Sequence, residues 1–380
     1  MKEKEWQKFA VQSVTLLAVV LIISFFFMED IMKDNGTNGT AATKNMKTLQ
    51  ELNAVPSYET SVLSDEAHVK KRSNTYIQIP KSAVTTGAAV YMTNDYMDSS
   101  IRIVINGRKD NVFTTENIIR YNNGKKYSGK IKPGNKKDIL GQLDISVSRL
   151  KNKKYRINID IKTRKLYEPV LYETYDAYYI SLAIPRNIYD KIVVIDAGHG
   201  GIDEGTVSAD GKYYEKDYTL FILHELKDIL DNSDIKAYYT RLDDIRVSKP
   251  DRIRLANKLK ADLLISIHCN ASDAGDNTAY GVEALYSRQK PAGSKLNNRK
   301  LAETIMENVA DNVNNRKRGV IRREHLYLLH HSDVPATIIE IGYMSNKSDL
   351  KYIKRKSGQK KIAEGIYNGI MEALEWKLLL

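Results

Sequence analysis

Three residues with metal-binding side chains stand at the ends of predicted elements in the second half of the chain. His199 follows the apolar run 192–195, and His268 ends a second apolar run at 262–268. Because the carboxyl ends of strands in an α/β sheet face the ligand crevice, both imidazoles are expected at one edge. Glu215 begins the first predicted helix, from which its carboxylate can reach the same edge. Two imidazoles and one carboxylate can hold a catalytic zinc ion with an open fourth position.

A fourth residue, Glu340, closes the β-branched run 337–339 and could serve as a general base toward an activated water. Each of the four residues also has a simpler structural explanation. A histidine after a strand is often just hydrogen-bonded, and an acid in the first turn of a helix interacts with the helix dipole. Spacing alone does not establish their geometry. The set indicates a metallohydrolase without proving it.

The elements that must position these residues alternate between strands and helices from 191 to 376. Helices are predicted at 215–230, 252–259 and 295–313, followed by a C-terminal helix with apolar residues at four-residue intervals from Ile362 to Leu374. Strands are predicted at 191–196, 235–239, 262–268 and 335–341. This order predicts an α/β domain with a twisted, largely parallel sheet flanked by helices. Arg241 and Asp243 are expected to form a structural ion pair in a turn.

Several segments of this domain, in order, strongly resemble the motifs of the zinc-dependent N-acetylmuramoyl-L-alanine amidases (amidase_3 type), which are bacterial cell-wall hydrolases. The resemblance covers about 191–376, roughly half of the chain. The segments are Val194-Ile195-Asp196-Ala197-Gly198-His199-Gly200-Gly201, Tyr213-Tyr214-Glu215-Lys216-Asp217, Tyr239-Thr240-Arg241-Leu242-Asp243-Asp244, Arg252 with Ala256-Asn257, Ala261-Asp262-Leu263-Leu264-Ile265-Ser266-Ile267-His268, and Pro335-Ala336 followed by Ile339-Glu340-Ile341-Gly342-Tyr343-Met344-Ser345-Asn346.

The resemblance implies a role for each matching residue. His199, Glu215 and His268 would bind Zn²⁺, and Glu340 would be the catalytic acid and base. The implied reaction is hydrolysis of the amide between N-acetylmuramic acid and L-alanine of peptidoglycan stem peptides. Cys269, which follows His268, departs from the usual pattern. Its use as a fourth ligand is disfavoured, because adjacent residues on a strand point to opposite faces.

Two other functions are kept as alternatives. A zinc peptidase acting on wall peptides would use the same metal but cut a peptide bond. A non-enzymatic wall-binding protein would be expected to have lost a ligand or the catalytic acid, and all four residues are present.

The N-terminal segment predicts membrane attachment. Residues 9–28 carry no charge and are long enough to cross a bilayer. Lysines precede them and acids follow, so we expect a cytoplasmic stub and single-pass transmembrane anchor at 1–29, with the rest extracytoplasmic. A cleaved signal peptide is the rival interpretation, but a small-residue cleavage site does not follow the apolar run. Residues 30–75 are predicted to be a flexible linker, which leaves 191–380 as the catalytic domain.

The middle segment, 76–186, alternates between apolar and polar residues and is predicted to be a small all-β domain. In position and strand pattern it is similar to the AMIN-type domains found ahead of cell-wall amidases. The chain carries a net charge of +12, and residues 101–165 hold 18 basic and 5 acidic residues. In an exported protein this excess favours anionic wall polymers or lipid headgroups as partners, and not nucleic acid. A single cysteine excludes an internal disulfide and a cysteine-based zinc cluster.

Overall fold

The computed structural model describes residues 74–84, 88–108, 113–150, 154–272, 278–289, 291 and 296–379. All of them belong to one compact unit, residues 60–380. The predicted anchor at 9–28 and nearly all of the predicted linker at 30–75 lie outside the described residues. Among the helices described, none is both long enough and apolar enough to span a bilayer.

The first half of this unit consists of two antiparallel sheets. One sheet has five strands in the order β5-β4-β1-β9-β8, and the other has four strands in the order β2-β3-β7-β6. Alternating isoleucines such as Ile103 and Ile159 turn inward and are fully buried in a shared core. The strands are β1 Tyr76–Pro80, β2 Ala89–Asp95, β3 Ser100–Arg108, β4 Ile119–Asn122, β5 Lys125–Ser128, β6 Leu140–Arg149, β7 Tyr155–Thr163, β8 Glu168–Glu173 and β9 Ala177–Ala183.

The second half contains a six-stranded sheet in the order β11-β10-β12-β15-β13-β14. Strands β11, β10, β12 and β15 are parallel, whereas β13 runs antiparallel to β15 and pairs in parallel with β14. The α/β prediction is confirmed, with a reversed pair of strands at one side of the sheet. The strands are β10 Ile192–Ala197, β11 Lys236–Tyr239, β12 Leu263–Asn270, β13 Val282–Tyr286, β14 Lys317–Arg322 and β15 Ala336–Tyr343.

Helices cover both faces of this sheet. Helices α1, α3 and α6 pack on one face, against residues such as Ile195 and Ile265, and α2 and α4 pack on the other, against residues such as Val194 and Leu264. Alternate residues of the central strands therefore enter two different cores, which explains their nearly continuous apolar sequence. The helices are α1 Glu215–Leu230, α2 Lys249–Leu259, α3 Asn298–Val313, α4 Tyr327–His330, α5 Lys347–Ile353 and α6 Lys356–Leu379.

Capping residues correct two of the predicted helix starts. Helix α2 begins at Lys249 and not at Arg252, because the Ser248 side chain accepts a hydrogen bond from the backbone of Asp251. Helix α3 begins at Asn298, three residues later than predicted, because Asn297 caps it in the same way. Helix α1 begins at Glu215, as predicted, so that residue stands at the first position of the helix.

The antiparallel sheets contact the six-stranded sheet through buried polar groups. The Glu168 carboxylate accepts hydrogen bonds from Lys236 Nζ (2.9 Å) and from the hydroxyl of Tyr238 (2.7 Å). Arg186 donates from both terminal nitrogens to Oδ2 of Asp262, at 3.0 and 3.1 Å. In both pairs the carboxylate is buried and the cation is partly exposed, and the pairs hold the first half against the sheet that carries the predicted site.

Candidate metal centre

The three predicted ligands meet at the carboxyl end of the parallel strands. The ligand atoms of His199, Glu215 and His268 all lie within 4.8 Å of one another. Nε2 of His199 is 3.1 Å from Oε2 of Glu215, and Nδ1 of His268 is 2.8 Å from Oε1. The carboxylate therefore lies between two imidazole rings whose planes are nearly perpendicular, at 79°.

The segment that carries His199 is held by two buried arginines. Arg252 donates to the backbone carbonyls of Ala197 (2.6 Å) and His199 (2.7 Å), and to the carboxylate of Asp196 (2.5 Å). Arg241 donates to the carbonyls of Ala197 (3.0 Å) and Gly198 (2.9 Å). These bonds satisfy carbonyls that the loop leaves without partners in the sheet.

The prediction of an ion pair between Arg241 and Asp243 is wrong. Arg241 Nη1 reaches the backbone carbonyl of Asp243, at 3.2 Å, and no contact to the Asp243 carboxylate occurs among the described residues. The guanidinium is instead occupied by backbone carbonyls, because it is 2% exposed and lies under the loop that bears His199. Arg241 therefore has a structural role, as expected, but the backbone that it holds is that of the candidate site.

Glycines allow the ligand side chains to pack directly against backbone. A Cβ at Gly198 would lie 2.4 Å from Cε1 of His268, and one at Gly205 would lie 2.6 Å from both Glu215 Oε2 and His199 Cδ2. His199 itself has a φ of +60°, a left-handed conformation that costs energy for a residue with a side chain. Hydrogen bonds from Arg241 and Arg252 hold the backbone in this strained conformation. The conformation directs the imidazole toward Glu215.

The Glu215 carboxylate is 2% exposed and fully hydrogen-bonded. Besides the two imidazoles, Oε2 accepts from the backbone N–H of Thr206 (2.8 Å) and Oε1 accepts from that of Cys269 (2.9 Å). Burial alone would raise the pKa of Glu215, but the hydrogen bonds from both histidines outweigh it and lower the pKa well below its usual range. The carboxylate is therefore ionised and oriented for a cation.

The pKa values of the two histidines are shifted in the opposite direction. Burial lowers the pKa of His268, but its hydrogen bond to Glu215 and the charge of Glu215 raise it to about 9. The pKa of His199 is raised for the same reasons. A metal binds the neutral imidazole, so binding at this site would release protons.

Asp203 adds a carboxylate that the sequence analysis did not identify. Its Oδ1 is 2.8 Å from Nδ1 of His199, while Nε2 of the same ring faces Glu215. A ligating histidine commonly donates its other ring N–H to a carboxylate, which fixes the tautomer and raises the basicity of the ligating nitrogen. The signal in the sequence is an acid four residues after a histidine in a glycine-rich turn, and it is visible only once His199 is known to be a candidate ligand.

The donor set fits a zinc ion. Two imidazole nitrogens and one carboxylate oxygen are the ligands of one common class of catalytic zinc site, and they leave a fourth position open. The two imidazole rings remain 24% and 22% exposed, so the cluster is accessible from solvent. Cys269 is on the opposite face of β12, where it is 3% exposed in the apolar core, and it is not among the clustered ligand atoms.

Comparison with known proteins identifies the fold that carries this cluster. Residues 193–372 match the family described as N-acetylmuramoyl-L-alanine amidase, Amidase_3. A germination-specific N-acetylmuramoyl-L-alanine amidase of Bacillus subtilis (strain 168) is 31% identical over 195 residues, covering 48% of this chain and 78% of the relative. The chain belongs to the N-acetylmuramoyl-L-alanine amidase family. It is therefore an enzyme of the amidase class.

Two further matches each cover about half of this chain. An uncharacterized protein, YqiI, of Bacillus subtilis (strain 168) is 33% identical over 183 residues, covering 48% of this chain and 84% of the relative. A crystal structure of an N-acetylmuramoyl-L-alanine amidase from Clostridium difficile 630 is 37% identical, covers 49% of this chain and 98% of that chain, and has a TM-score of 0.46.

Glu340 lies beside the cluster of this amidase, directly paired with His268 across β12 and β15. One of its oxygens, Oε2, is buried and accepts no hydrogen bond from the described residues. Burial raises the pKa of Glu340 to about 7, with the charges of Glu215 and Glu283 adding to the effect and that of His268 opposing it. A carboxyl group with such a pKa can both accept and donate a proton near neutral pH.

A buried polar network supports the far side of Glu340. Glu283 is its direct partner on β13 and is 5% exposed. The Glu283 carboxylate accepts from Asn270 Nδ2 (2.7 Å), Arg318 Nε (2.8 Å) and the hydroxyl of Tyr343 (3.1 Å). The Glu283 carboxylate thus has three donors, whereas Oε2 of Glu340 has none among the described residues.

Proposed function

We propose that this amidase hydrolyses the amide bond between N-acetylmuramic acid and L-alanine of peptidoglycan, and that it does so with zinc held by His199, Glu215 and His268. The observation that carries the proposal is the convergence of the ligand atoms of these three side chains within 4.8 Å, beside a glutamate whose buried Oε2 has no hydrogen-bond partner among the described residues. Zinc, when bound, supplies a Lewis acid that polarises the scissile carbonyl and lowers the pKa of water.

The chain's own residues hold the cation, orient one of its ligands and transfer the proton. Glu215 and the two histidines hold the cation, and Asp203 orients His199 from behind. Glu340 takes a proton from the attacking water and returns it to the leaving amine of L-alanine. Its pKa of about 7 suits both transfers, because the carboxylate can accept a proton and the acid can give it up again.

The products distinguish this function from the alternatives. Sacculi digested by the full chain should release stem peptides that begin with a free L-alanine amine, detectable by mass spectrometry of the soluble peptides. A zinc peptidase would instead leave L-alanine attached to the glycan, and a wall-binding protein would release nothing. Metal analysis of the same preparation should find about one zinc per chain. Release of glycan-linked L-alanine would overturn the proposal.

We also propose that residues 9–28 anchor the amidase in the cell membrane as a single span, with residues 191–380 extracytoplasmic. The support is the uncharged 20-residue stretch and the lysines that precede it. Protease added to intact spheroplasts should digest the catalytic domain and leave the N-terminal stub protected. A chain that stays intact unless the membrane is lysed would contradict this orientation. A soluble product that lacks residues 1–29 would favour a cleaved signal peptide.

The basic segment 101–165 is proposed to contact anionic polymers of the wall. Its support is the excess of 18 basic over 5 acidic residues.

A further inference from the structure

Six lysines are concentrated on one loop of the five-stranded antiparallel sheet. They lie within residues 125–137, here named the lysine loop, which comprises strand β5 and the turn that follows it. The side chains are Lys125, Lys126, Lys130, Lys132, Lys136 and Lys137. All six are exposed, and within the described residues none of them forms an ion pair. Like charges at this density repel one another, so the loop carries an uncompensated positive charge.

The lysine loop is held rigid by buried arginine contacts. Arg120, which is 1% exposed, donates to the carbonyl of Gly129 at 2.7 Å and forms an ion pair with the equally buried Asp138 at 3.1 Å. Arg164 donates to the carbonyls of Asn135 (3.2 Å) and Asp138 (3.1 Å). These bonds hold the loop at Gly129 and at its C-terminal end, so the ammonium groups are displayed from a backbone that needs little ordering on binding.

The fold brings together two pairs of lysines, Lys125-Lys126 and Lys136-Lys137, which are about ten residues apart in sequence. Asn122 pairs with Lys125 across the β4–β5 hairpin, and its side-chain Nδ2 donates to the carbonyl of Lys137 at 2.6 Å. The hairpin tip with Lys125 and Lys126 therefore adjoins the end of the loop with Lys136 and Lys137. This contact brings the backbones of the two basic segments side by side, and their four lysines are here named the basic rim.

Acidic groups near the rim neutralise little of it. Asp138 is buried and already paired with Arg120. Glu116 is exposed, and its carboxylate lies beside Gly129, where an added Cβ would be 2.6 Å from Oε1. Within residues 113–138, all of them described, one exposed carboxylate against six exposed ammonium groups leaves a positive potential over the loop.

We propose that the lysine loop binds a linear wall polymer that carries a phosphate in each repeat. The assignment to a wall polymer relies on the proposed function, which places the amidase at peptidoglycan. The two large apolar side chains of the loop, Tyr127 and Ile131, are only partly exposed. The loop thus offers charge without an exposed aromatic platform for stacking bases and without an apolar tip for entering a bilayer.

Binding of this kind has a recognisable dependence on salt. Each lysine that neutralises a phosphate releases counterions, so the logarithm of affinity falls linearly with the logarithm of salt concentration. For single-stranded nucleic acid, which is also a flexible chain with one phosphate in each repeat, the slope is roughly 0.7 per phosphate contacted, and we take this value as the guide. The number of lysines engaged can therefore be measured without a structure of the complex.

The test compares two variants of the full chain in nonionic detergent. One replaces the rim lysines (Lys125→Gln, Lys126→Gln, Lys136→Gln and Lys137→Gln), and the control replaces four exposed lysines of the catalytic half (Lys347→Gln, Lys351→Gln, Lys360→Gln and Lys361→Gln). Both lose the same net charge. Affinity for fluorescent poly(glycerol phosphate) is measured over a range of salt. We expect the rim variant to bind at least about tenfold more weakly, with a slope lower by about 3, and the control to bind like the unchanged chain.

Other probes decide between partners. Equal weakening in both variants would show that net charge alone acts and would overturn the loop as a site. Tighter binding to oligothymidylate of equal phosphate number, or to micelles containing phosphatidylglycerol, than to poly(glycerol phosphate) would overturn the polymer assignment. The measurement does not depend on hydrolysis, and an inactive chain that still binds through the rim would refute the proposed function alone. Equal melting temperatures of the two variants establish that both are folded.

Discussion

Oδ1 of Asp203 lies 2.8 Å from Nδ1 of His199, while Nε2 of the same ring points to the Glu215 carboxylate. Both ring nitrogens of His199 therefore have a carboxylate partner. Asp203 lies four positions further along the loop, and Glu215 is the first residue of helix α1. Because Asp203 also accepts from the backbone N–H of Gly205, at 3.3 Å, the same carboxylate connects the histidine to the glycine that packs against it.

Replacing Asp203 should therefore weaken metal binding. We expect Asp203→Ala to lower zinc affinity by about 10- to 100-fold, because His199 loses the group that fixes its tautomer. Asp203→Asn, whose carbonyl can still accept from the ring, should lose less. Affinity is measured by competition with a fluorescent chelator. The exposed Asp333→Ala is the control, and unchanged affinity in Asp203→Ala would show that Asp203 only shapes the loop.

Removing the charge of Glu340 should separate chemistry from metal binding. Glu340→Gln is expected to reduce amide hydrolysis by about 100- to 10,000-fold while zinc content stays unchanged, because the residue acts on protons and not on the metal. Its melting temperature should not fall, since the buried Oε2 has no partner among the described residues to lose. His199→Ala should lose zinc and activity together. Full activity of Glu340→Gln would refute the assigned role.

A methyl group at Gly198 should disrupt the site by contact alone. The added Cβ would lie 2.4 to 2.7 Å from three atoms of the His268 ring, and the ring is confined by its hydrogen bond to Glu215. We expect Gly198→Ala to lose zinc affinity and to be destabilised by about 1–3 kcal/mol. Gly141→Ala is the matched control, because its nearest contact is an ordinary 3.6 Å. Chelator competition and urea unfolding measure the two effects, and normal zinc binding in Gly198→Ala would argue against a rigid cradle.

Cys269 should be dispensable for the metal. Its sulfur is in the apolar core, on the face of β12 opposite to His268, while its backbone N–H orients Glu215. Cys269→Ala keeps that N–H, so zinc content should be unchanged and stability should fall by about 1–2 kcal/mol from the small cavity. Metal analysis and thermal unfolding check both values. Loss of zinc would revive Cys269 as a fourth ligand.

The buried Asp196 should make stability depend on acid pH. Burial raises its pKa, but the charge of Arg252 and hydrogen bonds from Ser266 and Thr240 outweigh this and hold the pKa below its usual value. A carboxyl whose pKa is lower in the folded state stabilises the protein above its unfolded pKa, and that contribution is lost as the pH falls through the folded pKa. Asp196→Asn should thus be about 3 kcal/mol less stable near pH 7.

The difference between Asp196→Asn and the unchanged chain should shrink below about pH 4, where the Asp196 carboxyl of the unfolded chain begins to take up a proton while that of the folded chain stays ionised. Urea unfolding of both proteins between about pH 7 and about pH 3 measures it, with the exposed Asp190→Asn as control. A difference that is constant across this range would mean that the charge of Asp196 does not contribute.

The sequence by itself determined the four parallel strands of the catalytic half, its four longest helices and the identity of its candidate ligands, but not β13, β14, α4 or α5. Apolar runs at 192–195 and 263–267 are long enough and sufficiently β-branched to be buried strands. The helical period of 215–230 correctly predicts the first residue of α1. His199, His268 and Glu340 could be placed at strand ends for that reason. Their assignment to specific roles came from the family resemblance, since spacing does not report distance.

Tertiary structure decided what these residues touch. Local periodicity carries no information on which carbonyls Arg241 reaches, and its partners at Ala197 and Gly198 are 43 or more residues away in the chain. The reversed direction of β13 depends on its pairing with β15, and the basic rim depends on one side chain, Asn122, that joins two loop segments. Such contacts form between residues distant in sequence, so their selection rests on the packing of the whole fold and not on local residue preferences.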